Sequence, residues 1–371
     1  MYIVASPKII NLALQGGGSH GAFTWGVLDR LLEEDNLTIE GVSGTSAGAM
    51  NAAALLQGYC KGGNKGAKES LENFWRGVGK SNIDFSPVAA AAEVWQRMFS
   101  PYQTNPFDIN PLRDLLTTML DIEAIRACDA IKLFICATDV ENGRAHIFER
   151  KDLTIEALMA SACLPFIFRA VNIGGTPYWD GGYTGNPPIF PLIFNCESPD
   201  VVLVQINPLM RRGTPQTPTE IINRLNEISF NAAIIGEMHA IALVQRLIEE
   251  DHLKKRWLKD SSRVFRSIFR PIFQVKAWNR AKGMVTGYRY GSEAKGMRNS
   301  EAARLKNMNM HVIGAEDQMC ALDASSKLNG TMDFLLHLKE MGHQAAGAWL
   351  VQNWQMIGKG SSVNIRKMFL D

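Results

Sequence analysis

A serine between two glycines is the residue of this chain best placed to do covalent chemistry. The motif Gly44-Thr45-Ser46-Ala47-Gly48 follows a short run of β-forming residues, Ile39 to Ser43, and precedes a segment rich in Ala, Met and Leu, Ala47 to Gln57. Strand, G-x-S-x-G and helix in this order are typical of a nucleophile elbow, which presents the serine hydroxyl at the edge of a sheet. Ser46 is therefore the candidate nucleophile for acyl transfer.

The neighbours of Ser46 fit that role. Gly44 and Gly48 let the backbone turn tightly, and the start of a helix stabilises negative charge that develops near the serine. We expect this helix to end at Gly58, which would be its C-cap. The motif alone leaves another interpretation open, a glycine-rich turn with an incidental serine.

A glycine loop follows the first predicted strand, Ile9 to Leu14, and precedes a predicted helix, Ala22 to Glu34. Gly16, Gly17 and Gly18 have no side chains that could block access to their backbone N–H groups, which suits binding of an oxyanion. Gly16, Gly18 and Gly21 also fit the dinucleotide pattern G-x-G-x-x-G, with Glu40 where a ribose-binding acid would fall. A nucleotide-binding oxidoreductase is thus a rival, but it explains only one of the two motifs.

A third motif supplies an acid. Asp180 stands in Tyr178-Trp179-Asp180-Gly181-Gly182, after a short extended run and before a flexible turn. Together the three motifs resemble the patatin-like phospholipase family. The resemblance runs from about Ile9 to Leu192 and includes two connecting segments, Ser161-Ala162-Cys163-Leu164-Pro165-Phe166 and Asn186-Pro187-Pro188.

The resemblance implies a three-layer α/β fold and a Ser-Asp dyad. Ser46 would attack a lipid ester carbonyl, Asp180 would act as general base, and the Gly16 to Gly18 amides would hold the oxyanion. The chemistry needs no cofactor and no metal. The remaining glycines that match the family motifs are Gly21, Gly44, Gly48, Gly181 and Gly182. The chain departs from the family at two positions, with Gln15 in place of an acid and His20 in place of Arg or Lys.

A histidine triad stays open as an alternative. Five histidines follow Asp180 in the chain, namely His239, His252, His311, His337 and His343. His311 is the strongest candidate among them because it opens a predicted strand, His311 to Ile313.

The order of elements predicts an α/β fold with a mostly parallel central sheet flanked by helices, followed by a mainly helical C-terminal lobe. Further strands are predicted at Ile131 to Ala137 and Val201 to Ile206, with a helix from Asp152 to Ser161. We expect a catalytic domain over 9–207 and a helical region over 216–371. Within the latter, a capping box at Thr217 to Glu220 starts a long helix that runs to about 251, and helices are also expected over 332–354. An apolar stripe predicts another helix within 86–105.

The segment 252–306 is strongly basic, with fifteen Lys and Arg residues against three acids, on a chain whose formal net charge is +2. Large apolar residues such as Trp257, Phe269 and Trp278 are interleaved with these charges, a mixture that suits an anionic membrane surface. The alternatives are a solvated helical face and nucleic-acid contact, of which we do not expect the latter.

Composition is that of a globular protein, since 46% of the 371 residues are hydrophobic and 20% are charged. With no apolar run long enough to span a bilayer and no secretory signal, we expect a cytoplasmic protein that associates peripherally with membranes. The six cysteines lack C-x-x-C spacing and are expected to be free thiols. The predicted function is a lipid acyl hydrolase of the phospholipase A or lysophospholipase type. The alternatives are a hydrolase of a storage polyester, the oxidoreductase named above, and an inactive membrane-associated scaffold.

Overall fold

The structure is a computed structural model that describes residues 7–80, 100–105, 108–249, 303–322 and 324–370. Most of the predicted helix at 86–105 and nearly all of the basic segment 252–306 lie outside the described residues.

An eight-stranded sheet forms the centre of the fold. Its strands run in the order β5-β6-β3-β2-β1-β7-β8, with β4 paired to β3. The ladder β3-β2-β1-β7-β8 is parallel, whereas β4 and β6 each run antiparallel to β3, and β5 runs antiparallel to β6. The strands are β1 Lys8–Leu14, β2 Leu37–Thr45, β3 Lys132–Asp139, β4 Arg144–Glu149, β5 Val171–Ile173, β6 Thr176–Asp180, β7 Asp200–Gln205 and β8 Asn309–Gly314.

Helices flank this sheet, which confirms the predicted α/β fold with a mostly parallel centre. The α-helices are α1 Gly21–Leu31, α2 Ala47–Lys80, α3 Pro101–Thr104, α4 Pro111–Met119, α5 Ile122–Ala127, α6 Ile155–Ser161, α7 Phe190–Asn195, α8 Pro218–Glu249, α9 Glu316–Cys320, α10 Met332–Asn353 and α11 Ile365–Phe369. Short 3₁₀ turns lie at Gly18–His20, Arg150–Asp152, Gly181–Tyr183, Ala324–Leu328 and Trp354–Met356.

The parallel ladder explains why the predicted motifs meet. Strands β1 and β2 run side by side, with Leu14 opposite Gly44, so the glycine loop and Ser46 follow at the same edge of the sheet. Asp180 ends β6 opposite Ala137 of β3, the other neighbour of β2. Strands β1 and β7 are almost wholly buried, as expected for parallel strands covered on both faces.

The prediction that the helix after Ser46 ends at Gly58 was wrong. The helical backbone of α2 continues past Gly58 to Lys61, is interrupted at Gly62 and Gly63, whose backbone angles are not helical, and resumes in a second segment that ends at Lys80. A Cβ at Gly58 would lie 2.1 Å from the carbonyl oxygen of Gly66. Glycine is therefore needed at position 58 because the two halves of α2 approach closely there. From the local sequence alone, such a glycine cannot be told from one that caps the end of a helix.

The chain divides into two compact units, 1–234 with 309–363, and 235–308 with 364–371. These units do not coincide with the predicted regions 9–207 and 216–371. The reason is that β8 pairs with β7, and α10 packs on α1, so residues well beyond 216 complete the first unit. In the second unit, the Gln245 side chain donates to the carbonyl oxygens of Leu305 and Met308.

Two of the six cysteines are joined, so the expectation of free thiols was wrong for them. Cys60 and Cys128 form a disulfide, whereas Cys136, Cys163, Cys196 and Cys320 are not disulfide-bonded. Disulfides persist in oxidising compartments, so this bond and the expected cytoplasmic location point in different directions. The location stays a prediction.

One helix among the described residues, Glu220–Arg246, is long and apolar enough to cross a membrane by length and composition, contrary to our expectation. Of its most apolar window, 56% is buried inside the protein, and buried core helices pass the same test. This is weak evidence for a membrane span.

The crossing of α1 and α10 depends on glycine, which gives a test of the packing. A Cβ at Gly342 would lie 2.0 Å from the carbonyl oxygen of Phe23. Gly342→Ala should therefore lower the free energy of unfolding by about 1–3 kcal/mol in urea denaturation. Gly347→Ala on the same helix is the control, because its Cβ would meet only Arg30 Nε at 3.7 Å. Equal effects of the two substitutions would contradict the described crossing.

Candidate active site

Ser46 stands on a strained turn between β2 and α2. Its φ of 54° lies in the left-handed region, which is costly for a residue with a Cβ. The residue is 8% exposed, and helix α2 begins at the next residue, Ala47. Ser46 thus has the geometry of a nucleophile elbow, and the positive end of the α2 dipole lies beside it.

The three predicted motifs are in direct contact. A Cβ at Gly16 would lie 2.7 Å from the Cβ of Ser46, and a Cβ at Gly21 would lie 2.6 Å from the Cβ of Ala47. On the third side, a Cβ at Gly181 would lie 3.0 Å from the Thr45 Cγ2. Glycine is required at these places because the backbones approach more closely than side chains allow.

The other motif glycines serve the same close packing. A Cβ at Gly48 would lie 2.2 Å from the Leu14 carbonyl oxygen, and one at Gly44 would lie 2.6 Å from that of Gly48. A Cβ at Gly182 would lie 2.3 Å from Cε1 of the Phe230 ring. The Gly182 N–H donates a hydrogen bond to Asp180 Oδ1 at 2.7 Å.

Asp180 is wholly buried beside Ser46. Burial raises the pKa of its carboxyl group to about 7, while hydrogen bonds from the Gly182 amide and the Ser46 hydroxyl and the charge of Lys327 lower it. The second oxygen, Oδ2, is buried and has no hydrogen bond of regular geometry from the described residues. Oδ2 of Asp180 thus has spare capacity to accept a hydrogen bond or a proton. A carboxyl group with a pKa close to neutrality suits a general base.

The glycine loop offers fewer free donors than predicted. The Gly16 amide donates to Asn186 Oδ1 at 2.6 Å, so it is not available to an oxyanion in this structure. Among the described residues the amides of Gly17 and Gly18 have no acceptor. Gly18 has a φ of 58°, which favours glycine, and it opens the 3₁₀ turn before α1. Gly17 and Gly18 are therefore the candidate donors, whereas Gly16 holds the loop in place.

Ser161 is a site residue that we did not predict from the sequence as functional. Its hydroxyl oxygen, at the end of α6, accepts a hydrogen bond from the Ser46 amide at 2.9 Å. The side chain is fully buried. This bond fixes the peptide on the N-terminal side of the strained serine, and only the contact across 115 residues reveals it.

Removing this hydroxyl should disturb the elbow. In Ser161→Ala a buried N–H group loses its acceptor, which costs about 1–3 kcal/mol. We expect kcat for ester hydrolysis to fall about 10-fold. Ser43→Ala is the matched control, because the Ser43 hydroxyl is also buried and donates to the Pro188 carbonyl oxygen at 2.6 Å without touching Ser46. Loss of stability without a selective loss of kcat in Ser161→Ala would assign Ser161 to packing alone.

The position of His311, the strongest candidate for a histidine triad, excludes it as the base for Ser46. His311 is buried in β8, with Nε2 bound to Asp200 Oδ1 at 2.9 Å and Nδ1 bound to Ser362 Oγ at 3.0 Å. Asp200 is the first residue of β7, so this pair lies towards the strand starts, whereas Ser46 follows a strand end. Both ring nitrogens of His311 are engaged, and the residue is structural.

His20 lies on the glycine loop, and its Nε2 bonds the Ser326 hydroxyl at 2.7 Å. Burial, and then the charge of Lys327, lower the pKa of His20 to about 3. The imidazole is therefore neutral near pH 7, and this departure from the family adds no positive charge to the loop.

The acid that a dinucleotide-binding site would require, Glu40, is engaged in other contacts. Glu40 accepts hydrogen bonds from the amides of Glu197 and Ser198 and from Lys132 Nζ at 2.8 Å. Its carboxylate is engaged in the fold, and the glycine loop is occupied by packing against the Ser46 turn. Neither part of the fingerprint is arranged for a nucleotide.

Comparison with known proteins agrees with the site. Residues 12–193 match the family model described as patatin-like phospholipase. An uncharacterised protein, R571, of Acanthamoeba polyphaga mimivirus is 24% identical over 196 residues, which cover 50% of this chain and 62% of that protein. Uncharacterised protein YjjU of Escherichia coli strain K12 is 27% identical over 194 residues, which cover 49% of this chain and 48% of that protein. The matches thus span about half to three fifths of these relatives.

Among solved structures, VipD from Legionella pneumophila is similar with a TM-score of 0.41 at 16% sequence identity. The likeness covers 94% of this chain and 67% of VipD, and at these values it is a distant one.

Proposed function

We propose, from the premise that residues 12–193 belong to the patatin-like phospholipase family, that this protein is a lipid acyl hydrolase that cleaves carboxylic esters through an acyl-enzyme on Ser46. The observation that carries the proposal is the pair formed by Ser46, held on a left-handed turn, and the buried carboxyl group of Asp180 beside it.

The positions of these groups support the following reaction. The Ser46 hydroxyl oxygen attacks the ester carbonyl carbon while Asp180 takes its proton, and the amides of Gly17 and Gly18 stabilise the oxyanion. The carbonyl re-forms as the alcohol leaves with the proton from Asp180. Water then attacks the acyl-enzyme, again losing a proton to Asp180, and the fatty acid leaves as Ser46 recovers its hydroxyl proton.

The substrate class is tested by product release. The full chain is incubated with phosphatidylcholine vesicles, lysophosphatidylcholine and nitrophenyl esters of short and long acids, and free fatty acid is measured. We expect hydrolysis of the lipid substrates that disappears in Ser46→Ala. Turnover of none of these esters, by protein whose folding is verified by circular dichroism, would overturn the proposal. Turnover of a hydroxyalkanoate polyester alone would favour the storage-polyester alternative.

We further propose that the basic segment 252–306 holds the enzyme at anionic lipid surfaces. The support is its sequence alone, in which Lys and Arg alternate with large apolar side chains. Reversing four of its charges to Glu should reduce sedimentation with phosphatidylserine vesicles and leave turnover of a soluble ester unchanged. Unchanged sedimentation would refute this role.

A further inference from the structure

A turn far along the chain packs directly on the glycine loop of the candidate site. The turn Ala324–Leu328 follows β8 and lies outside the family match at 12–193. A Cβ at Gly18 would lie 2.3 Å from the carbonyl oxygen of Lys327, and the Ser326 hydroxyl bonds His20. The loop that carries the candidate oxyanion donors is thus covered by a segment more than 300 residues away in sequence.

The ammonium group of Lys327 is connected to that loop through one side chain. Its Nζ donates to Asn207 Oδ1 at 2.7 Å, and Asn207 Nδ2 donates to the carbonyl oxygen of Gly16 at 2.8 Å. The Gly16 carbonyl and the Gly17 N–H belong to the same peptide unit. Hydrogen bonds in a chain polarise one another, so a positive charge at one end makes the Gly17 N–H a stronger donor.

The charges around Lys327 support an ionised ammonium group. Asp180 and Glu227 favour its charged form, while Arg211 opposes it, and the ring of Phe230 lies 5.8 Å from Nζ. Arg211 itself pairs with Glu227. Although the residue as a whole is only half-buried, its ammonium end is enclosed, and burial lowers the pKa of Lys327 to about 8. The group is therefore mostly protonated at pH 7, whereas its neighbour His20 is neutral.

We propose that Lys327 is a positioning residue for ester hydrolysis: its ammonium group, through Asn207, strengthens the Gly17 amide as an oxyanion donor. The inference rests on the proposed function for its catalytic part. It adds a residue from outside the family match to the site, so the matched segment alone would be catalytically incomplete.

The test compares three variants of the full chain. Lys327→Met removes the charge and the donor, Lys327→Gln removes the charge and keeps an N–H donor on a shorter side chain, and Lys327→Arg keeps both. We expect kcat at pH 7 to fall about 10-fold in the first two, with KM nearly unchanged, and to recover largely in Lys327→Arg. Lys339→Met is the control, because Lys339 Nζ also lies over an aromatic ring, that of Trp25 at 4.3 Å, but touches no site residue.

The pH profile gives a readout that a packing role would not move. Without the positive charge the pKa of Asp180 rises, so the acid limb of kcat should move to higher pH in Lys327→Met and Lys327→Gln. The infrared band of the protonated carboxyl, identified as the band missing from Asp180→Asn, should titrate at higher pH in both variants, and this measurement needs no turnover.

The outcomes separate the two proposals. An active wild type with unchanged kcat, acid limb and carboxyl titration in Lys327→Gln overturns the role of Lys327 and leaves the hydrolase proposal intact. Equal losses in Lys327→Arg and Lys327→Met, with wild-type thermal unfolding in both, also overturn it, because charge would then not matter. A wild type without ester turnover overturns the proposed function, and an unshifted carboxyl titration in that protein would overturn the Lys327 proposal as well.

Discussion

Ser46→Ala should lower kcat for ester hydrolysis by about 10⁴-fold or more, because it removes the oxygen atom that would form the acyl-enzyme. The change removes one oxygen atom, and alanine has the same Cβ in the left-handed conformation as serine, so the turn should persist. Steady-state release of fatty acid measures the loss, and the thermal unfolding midpoint should stay close to that of the wild type.

A contrary result would be informative. If Ser46→Ala kept wild-type turnover while remaining folded, the nucleophile would lie elsewhere, and the meeting of the three motifs would serve packing only. Ser43→Ala provides the matched comparison, since it removes a buried hydroxyl three residues earlier, in the strand that leads to Ser46.

Asp180→Asn should lower kcat by about 10²–10⁴-fold, because the amide cannot accept the proton of Ser46. In the wild type, kcat should rise with pH through about 7, where the buried carboxyl group of Asp180 loses its proton and becomes able to act as base. His311→Ala should keep most of the wild-type kcat, since its ring bonds Asp200 and Ser362 instead. The opposite ranking of these two variants would replace the dyad with a histidine mechanism.

Although Asp180→Asn should lower kcat, it should raise stability above neutral pH. The pKa of Asp180 is raised on folding from 3.8 to about 7, so the folded state holds a proton that the unfolded state releases between these values. The wild type therefore loses stability as pH rises from about 4 to 7. Asp180→Asn avoids this loss, so its melting temperature should exceed that of the wild type at pH 8 and approach it at pH 4. A lower melting temperature at pH 8 would show that the carboxylate is needed by the fold.

The parts of the site that could be predicted from the sequence are those whose geometry is local. The elbow at Ser46 and the glycine loop each join a strand to a helix within a few residues, and parallel pairing of β1 with β2 then brings them together. Asp180 was found by its resemblance to a family motif. Its raised pKa could not be predicted, because it depends on burial by several distant segments.

The parts that could not be predicted depend on contacts across long stretches of chain. Ser161 lies 115 residues from Ser46, and Lys327 lies 120 residues from Asn207, so only the fold brings each pair together. We assigned Gly16 to the oxyanion hole because the sequence does not show whether a backbone amide is free or donates to a distant side chain. In the structure the Gly16 amide donates to Asn186. The predicted strand at 311–313 was found, but its place beside β7 depends on the sheet order.

Labelling with a fluorophosphonate tests the central claim most directly, because the probe reacts preferentially with an activated serine hydroxyl. Intact mass and peptide mapping should show one adduct, on Ser46, formed faster as pH rises through about 7. The adduct should be absent in Ser46→Ala and form much more slowly in Asp180→Asn. An adduct on another residue, or unchanged labelling in Ser46→Ala, would contradict a Ser46 nucleophile activated by Asp180.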